Sequence, residues 1–235
     1  FVTRLLANGT IDQTFLYNGI TGGWYFSGFL PLVTAATFDR VGNLAIVGPE
    51  LADQTGGWRL LRLDPNGLEL AAATIPITSH PLSSPTAILF QPDNKPVIGG
   101  WGQEDASPFY ASFLVHRLLA GGPAAIADTT FGFMGNGWVS LEYAQAAWLQ
   151  SLALLPDLGL VVAGQTGPLA QEDIVVQRLT ANGVADGSFE EYVAFDVGGL
   201  EGDGIGGQIR MVAQSDGKIV IAARVATGDP GNTSD

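Results

Sequence analysis

Residues 174–183 read Ile-Val-Val-Gln-Arg-Leu-Thr-Ala-Asn-Gly, and this pattern of an apolar strand, an Arg-Leu pair and a turn recurs along the chain. Each copy carries an Arg directly before the Leu of the pair, and successive copies of that Arg are about 55 to 61 positions apart. A fixed period of this length indicates an array of one supersecondary unit. The other copies are Phe1–Gly9, Trp58–Gly67 and Phe113–Gly122.

A second segment recurs between these copies as an apolar run, a polar turn and another apolar run, which is the pattern of a β-hairpin. Its copies are Phe38–Gly48, Phe90–Gly100, Leu154–Gly164 and Ala213–Ala223. A third element, Asp-x-(Thr/Ser)-Phe, follows the Arg-Leu turn in every unit except the one that begins at Trp58. Its copies are Asp12–Phe15, Asp128–Phe131 and Asp186–Phe189.

Each unit therefore contains about four short strands. We expect the first strand near residues 23–32 or 137–143, the second and third in the hairpin, and the fourth in the Arg-Leu segment. The stretch 143–155 is rich in Ala and Leu and is the best helical candidate, but it aligns with a hairpin strand and is predicted as strand. Four strands per unit at a period above about 50 residues is typical of a β-propeller blade.

We predict an all-β chain that forms a single β-propeller domain over residues 1–235, with four blades of about four antiparallel strands. The repeat units run approximately over 1–57, 58–112, 113–173 and 174–235. The N-terminal strand Phe1–Leu6 lacks a hairpin and the C-terminal hairpin lacks a fourth strand, so we expect them to pair and close the ring. Pairing between chains, in a larger ring or a filament, is the alternative.

The order Arg-Leu-x-x-(Asn/Gly)-Gly, Asp-x-(Thr/Ser)-Phe and a Pro-Asp-Gly-Lys-like hairpin resembles the delta-60 repeat family over essentially the whole chain. The third and fourth copies resemble it most and the second copy least. The resemblance implies a propeller-like β fold in a secreted or surface-attached bacterial protein. It implies no general catalytic activity and transfers no catalytic residue.

The composition limits the classes of function. Ten Lys+Arg stand against 23 Asp+Glu, so the net charge is −13, and the chain has no Cys. Nucleic-acid binding is disfavoured because phosphate contacts need clustered cations. A disulfide framework and a thiolate metal site are excluded. No apolar run approaches the ~18 residues of a membrane span.

The repeated Arg residues share the strand face on which apolar residues alternate with them, which predicts that they are buried. The residue before each Arg, such as His116, then lies on a tolerant outer face. A buried guanidinium needs carboxylate or carbonyl partners, so we interpret the Arg residues as structural ion pairs rather than as a ligand site. The predicted members are Arg4, Arg62, Arg117 and Arg178, with Asp12, Asp128 and Asp186, or alternatively Asp93, Asp157 and Asp216, as partners.

Two further features suggest binding. Trp101 follows a Gly in a loop and is our candidate ligand contact, because an exposed indole can stack on a sugar ring; filling the space between blades is the alternative. The four connections 49–57, 101–111, 165–173 and 225–235 each contain two acids and no Lys or Arg, which predicts an acidic rim that serves solubility or binds calcium. The calcium candidates are Glu104, Asp105, Glu172 and Asp173.

These observations favour a non-enzymatic, secreted or cell-surface scaffold that binds a protein or glycan partner at one face and that can assemble with other subunits. Calcium is the only cofactor considered. The alternative is a polysaccharide hydrolase or lyase whose carboxylates lie near the central channel. No residue pattern selects a catalytic pair, so no catalytic residue is predicted, and fold alone does not decide between the two.

Overall fold

The computed structural model describes residues 1–17, 20–21, 23–25, 32–50, 57–104, 111–121, 125–143, 145–167, 173–189, 192–195 and 208–223. In chain order the strands are β1 (Val2–Thr3), β2 (Leu16–Tyr17), β3 (Ile20–Thr21), β4 (Trp24–Tyr25), β5 (Ala35–Phe38), β6 (Leu44–Pro49), β7 (Gly57–Leu63), β8 (Glu69–Pro76), β9 (Leu82–Phe90), β10 (Pro96–Gln103), β11 (Ala111–Arg117), β12 (Trp138–Leu141), β13 (Ala147–Leu154), β14 (Leu160–Thr166), β15 (Asp173–Leu179), β16 (Val193–Phe195), β17 (Arg210–Ala213) and β18 (Ile219–Ala222).

The strands form antiparallel sheets, and within each four-stranded sheet the strand order follows the chain. The first sheet contains β5 to β8, the second β9 to β12 and the third β13 to β16, while β17–β18, β1–β4 and β2–β3 are two-stranded. The all-β prediction is confirmed, since none of the described residues forms a helix. This includes the Ala- and Leu-rich candidate, which forms β13. Nothing in the described ranges is therefore a helix able to cross a membrane.

One turn position sets the geometry of all four hairpins. The residue two positions before the second strand of each hairpin has a positive φ, and its backbone N–H donates to the carbonyl three residues earlier. Glycine accepts this conformation without strain, Asn tolerates it, and other side chains do so at a cost. The residues at this position are Gly42 (φ 91°), Asn94 (φ 64°), Leu158 (φ 72°) and Gly217 (φ 85°).

The grouping of strands corrects the expected order within a unit. We expected the strand near 137–143 to lead into the following hairpin, but β12 pairs with β11, at the far edge of the second sheet. The reason is local: the connection 118–137 contains the Leu118–Ala127 bridge and the Asp128 turn, which return the chain to the edge of β11. The chain then passes from β12 to the first strand of the next sheet. Each sheet therefore draws its strands from two consecutive sequence units.

The sheets stack face to face in series, and each interface is a hydrophobic core. Trp58 and Leu60 of the first sheet pack against Ile98 and Leu114 of the second. Because sheets cover both faces of the second sheet, all seven residues of β11 are buried. The expected outer face at His116 is therefore wrong, since this side chain is only 5% exposed.

The other interfaces repeat this arrangement. Phe113 of the second sheet packs against Leu149 of the third, and Val161 of the third sheet packs against Met211 of the C-terminal hairpin β17–β18. At the other end, Val2 of β1 packs with Phe15 against the first sheet. The C-terminal hairpin and β1–β4 thus cover the two outer faces of the series.

The expected pairing of the N-terminal strand with the C-terminal hairpin is not formed within the described residues. There, β1 pairs with β4 and β18 pairs with β17, and no register joins β1 to β18. Phe1–Leu6 is nevertheless ordered by backbone bonds, including Asp12 N–H to Arg4 O at 2.9 Å.

Candidate functional site

The repeated Arg residues lie beside the Asp of the following turn in three units. The Nε to Oδ2 distances are 2.8 Å for Arg4–Asp12, 2.9 Å for Arg117–Asp128 and 2.8 Å for Arg178–Asp186. Each Asp also accepts hydrogen bonds from the backbone N–H and the hydroxyl of the residue two positions later, which is Thr14, Thr130 or Ser188. The Asp-x-(Thr/Ser)-Phe element therefore folds its own turn and presents a carboxylate to the Arg.

The unit that lacks this element uses another carboxylate. Arg62 Nη2 lies 2.6 Å from Asp39 Oδ2, and Asp39 belongs to the turn of the preceding hairpin. That carboxylate also accepts the backbone N–H of Val41 and Asn43. Neither of the Asp sets that we considered for the Arg residues contains Asp39, whose signal in the sequence is its place at the start of a hairpin turn.

Arg117 is the most buried of these cations, with 3% of its side chain exposed. It donates to Ala181 O at 2.8 Å, to Gln91 Oε1 at 3.1 Å and to Asn182 Oδ1 at 3.1 Å, so it ties the second sheet to the turn of the next unit. Arg4 donates to the equivalent carbonyl, that of Pro65. Through these contacts Arg4 and Arg117 each connect two successive units.

The pKa of Asp128 is consistent with a permanent ion pair between Asp128 and Arg117. Burial by itself raises the pKa of Asp128, but the hydrogen bonds from Thr130 and Lys95 and the charge of Arg117 outweigh it and lower the pKa to about 2. The carboxylate is thus ionised at neutral pH. Arg117 and Lys95 also line a cavity of about 260 Å³, in which Asp128 and Asp93 balance their two positive charges.

Trp101 lines a second and larger cavity, of about 440 Å³. Small-molecule sites fall in the range of about 300–1,000 Å³. Most residues of its wall lie on the strand that opens a sheet or just before that strand, and Trp101 lies on β10. These strands are far apart in sequence. The residues of the wall are Val33, Thr34, Thr86, Trp101, Trp148, Leu149, Gln150, Gln208 and Arg210.

Contacts between the strands that open successive sheets bring these residues together. β5 contacts β9, β9 contacts β13, and β13 contacts β17. Thr86 Oγ1 donates to Leu149 O at 2.7 Å, which joins the second and third sheets. Gln150 accepts from Ile209 N–H at 2.7 Å and donates to Gln165 Oε1 at 2.9 Å. The polar part of the wall is therefore held in place before any ligand enters.

Besides the hydroxyls of its two Thr residues, the cavity presents polar or aromatic groups of three chemical kinds. Trp101 and Trp148 offer indole rings, Gln150 and Gln208 offer amides, and Arg210 offers a guanidinium. Aromatic faces combined with planar hydrogen-bonding groups suit ligands that are apolar on one side and polar at the edges, as sugar rings are. Of this set, the sequence pointed only to Trp101. The other members become recognisable only once the strands that open successive sheets are known to face one cavity.

The acidic loops lie partly beyond the described residues. Asp105 and Glu172 fall outside the described ranges. Glu104 is exposed at the end of β10, and Asp173 is half-buried at the start of β15. Within the described ranges no group of His, Asp and Glu is arranged to hold a metal ion, and the calcium site stays a prediction.

Two buried histidines were not recognised from the sequence. The ring of His116 stacks on Trp138 with a centroid distance of 5.9 Å and meets the edge of Trp58 at 5.1 Å. Burial, with a smaller contribution from His80, lowers the pKa of His116 to about 3. His116 is therefore neutral at physiological pH, and it acts as one more aromatic ring in the interface between the first and second sheets.

Comparisons with known proteins add no functional information. No protein-family model matches the chain, and no curated protein matches it. The functional interpretation accordingly depends on the residues and geometry described above.

Proposed function

We propose that this protein is a non-enzymatic, secreted or cell-surface scaffold that binds a glycan. The binding site is the cavity lined by Trp101 and by residues on or just before the strands that open successive sheets, β5, β9, β13 and β17. The observation that carries the proposal is the presence of Trp101 and Trp148 in one cavity of about 440 Å³ together with fixed amide and hydroxyl groups. A sugar can stack on an indole while its hydroxyls bond to Gln150 and Thr86. The amides of the wall are already anchored, so binding orders few side chains.

The proposed scaffold is a four-bladed β-propeller whose fourth blade is assembled from both ends of the chain. Two observations support it. The register of β1 with β4 pairs Thr3 with Trp24, as β11 and β12 pair His116 with Trp138. The C-terminal hairpin packs on the third sheet as β9–β10 packs on the first. The hairpin and β1–β4 are therefore the two complementary halves of one four-stranded unit.

A disulfide tests this closure. In the second sheet Ile98 pairs with His116, and the equivalent pair across the closure is Ile221 with Thr3. The variant Thr3→Cys with Ile221→Cys should form an intrachain disulfide on mild oxidation, because paired strands bring Cα atoms within the ~4.4–6.8 Å that a disulfide spans. No native Cys interferes.

The matched control is Thr3→Cys with Val212→Cys. Val212 lies on β17, one strand farther from β1, at about 10 Å, and should not cross-link. Peptide mass mapping under non-reducing conditions identifies the product. Disulfides between chains would indicate a larger assembly, and no disulfide at all would contradict closure of either kind.

Glycan binding is tested by replacing each indole. Trp101→Ala and Trp148→Ala should each weaken binding to a glycan identified on a glycan array by about tenfold or more, since each removes a stacking surface. Phe133→Ala is the control, because Phe133 is an 84% exposed aromatic residue outside the cavity. If both Trp variants bind the glycan as tightly as the wild type and Phe133→Ala do, the proposed site is wrong. Release of new reducing ends from the bound polysaccharide would instead favour the hydrolase or lyase alternative.

A further inference from the structure

Arg210 differs from most cations of this protein in the partners that it has. Its Nη1 donates to Ile209 O at 3.2 Å, and its Nη2 donates to Gln208 Oε1. Both acceptors are neutral. The ion pairs formed among the described residues use Arg4, Arg59, Arg62, Lys95, Arg117, Arg178 and Lys218.

This guanidinium is also the charged group of the cavity wall. Of the described residues that line the cavity, Arg210 alone carries a charge, and its side chain is exposed at the start of β17. A guanidinium has five N–H donors in a planar fork, and two of them are occupied by the neighbouring acceptors. The remaining donors match the two oxygens of a carboxylate.

We propose that the glycan bound in this cavity carries a carboxylate, as a uronic acid residue does, and that Arg210 binds that carboxylate while an indole binds the sugar ring. This inference rests on the proposed glycan-binding function and names its substrate class. Arg210 and the two Trp residues belong to one cavity wall, so a single acidic sugar can contact a ring and the guanidinium together.

The overall charge makes the local cation necessary. A net charge of −13 repels an acidic polysaccharide at long range. At physiological salt this repulsion is screened beyond about 8 Å, whereas a contact with Arg210 is screened much less. Recognition therefore depends on one cation at contact distance. The affinity for an acidic sugar should consequently exceed that for its neutral counterpart by about tenfold, which is typical of a charge-assisted hydrogen bond.

The test compares matched ligands and matched variants by isothermal titration calorimetry. The ligands are a panel of short uronate oligosaccharides (galacturonate, glucuronate and alginate types), their neutral methyl esters, and a sulfated galactan oligosaccharide. The proteins are the wild type, Arg210→Gln, and Lys218→Gln as control. Lys218 is an exposed cation of the same hairpin whose partner is Asp216.

We expect at least one uronate to bind the wild type about tenfold more tightly than its ester. Arg210→Gln should abolish that preference while it retains binding of the ester, and Lys218→Gln should leave the preference unchanged. Thermal unfolding of each variant confirms that it is folded.

Three results would overturn the inference. If neutral sugars bind as tightly as uronates, the ligand is not selected by charge, although the proposed glycan site survives. If the sulfated oligosaccharide binds more tightly than every uronate, the site selects sulfate rather than carboxylate. If neither these ligands nor any glycan on an array binds, the proposed function fails together with the inference.

Discussion

Replacing Arg117 by Met should destabilise the fold by about 3 kcal/mol. The change removes the buried cation that lies 2.9 Å from Asp128, whose side chain is only 2% exposed. Losing one partner of a buried ion pair costs about 3–5 kcal/mol. The lower end applies here because Lys95 Nζ, 3.1 Å from the same carboxylate oxygen, remains as a partner. The carbonyl of Ala181 also loses its donor.

Urea unfolding followed by tryptophan fluorescence measures this loss. With a slope of about 3 kcal/mol per molar urea, the midpoint should fall by about 1 M. The double variant Arg117→Met with Asp128→Asn should be more stable than Arg117→Met alone, because it removes the stranded charge. Arg178→Met is the comparison at a more exposed site and should cost less, since 23% of the Arg178 side chain is exposed.

Two results would refute this reasoning. A loss below about 1 kcal/mol for Arg117→Met would mean that the pair contributes no more than a surface ion pair does. Stabilisation of the wild type by phosphate, absent from Arg117→Met, would mean that the cavity beside Lys95 and Arg117 is an anion site.

Two further predictions concern pH and backbone strain. Because burial holds the pKa of His116 at about 3, below its ordinary value of 6.5, the unfolded chain binds a proton that the folded chain excludes; stability is therefore intact above pH 6.5 and should fall by about 2 kcal/mol at pH 5. His116→Phe should reduce the difference in melting temperature between pH 7.5 and pH 5.0, and an unchanged difference would contradict the buried position of the imidazole. Leu158→Gly should raise stability by about 1 kcal/mol in urea unfolding, because Leu158 occupies a positive φ of 72° that a Leu adopts at a cost. Asn94→Gly at the equivalent turn position should change stability much less, and a loss on Leu158→Gly would show that its side chain outweighs the strain.

Sequence alone was sufficient for the all-β class and for the hairpins, because both depend on neighbouring residues. A period-two apolar run with a turn residue at its end specifies two strands wherever it occurs, and the four hairpins have the positive-φ turn at one shared position. The ion pair between an Arg and the following Asp-x-(Thr/Ser)-Phe element also depends on residues that are close in sequence, and in the structure Arg117 lies beside Asp128.

Tertiary structure decided what covers each strand and which residues meet. Alternation along β11 distinguishes two faces but does not say whether a second sheet covers the outer one; stacking on both sides buries His116 between Trp58 and Trp138. Arg62 pairs with the carboxylate of Asp39, which lies 23 positions earlier in the chain.

The candidate site is the clearest case of this dependence. Thr86, Trp148 and Arg210 belong to different repeat units, and no local pattern connects them. They line one cavity because the first strands of successive sheets contact each other. Their proximity is a property of how the sheets stack, whereas the sequence of each unit specifies only the sheet itself.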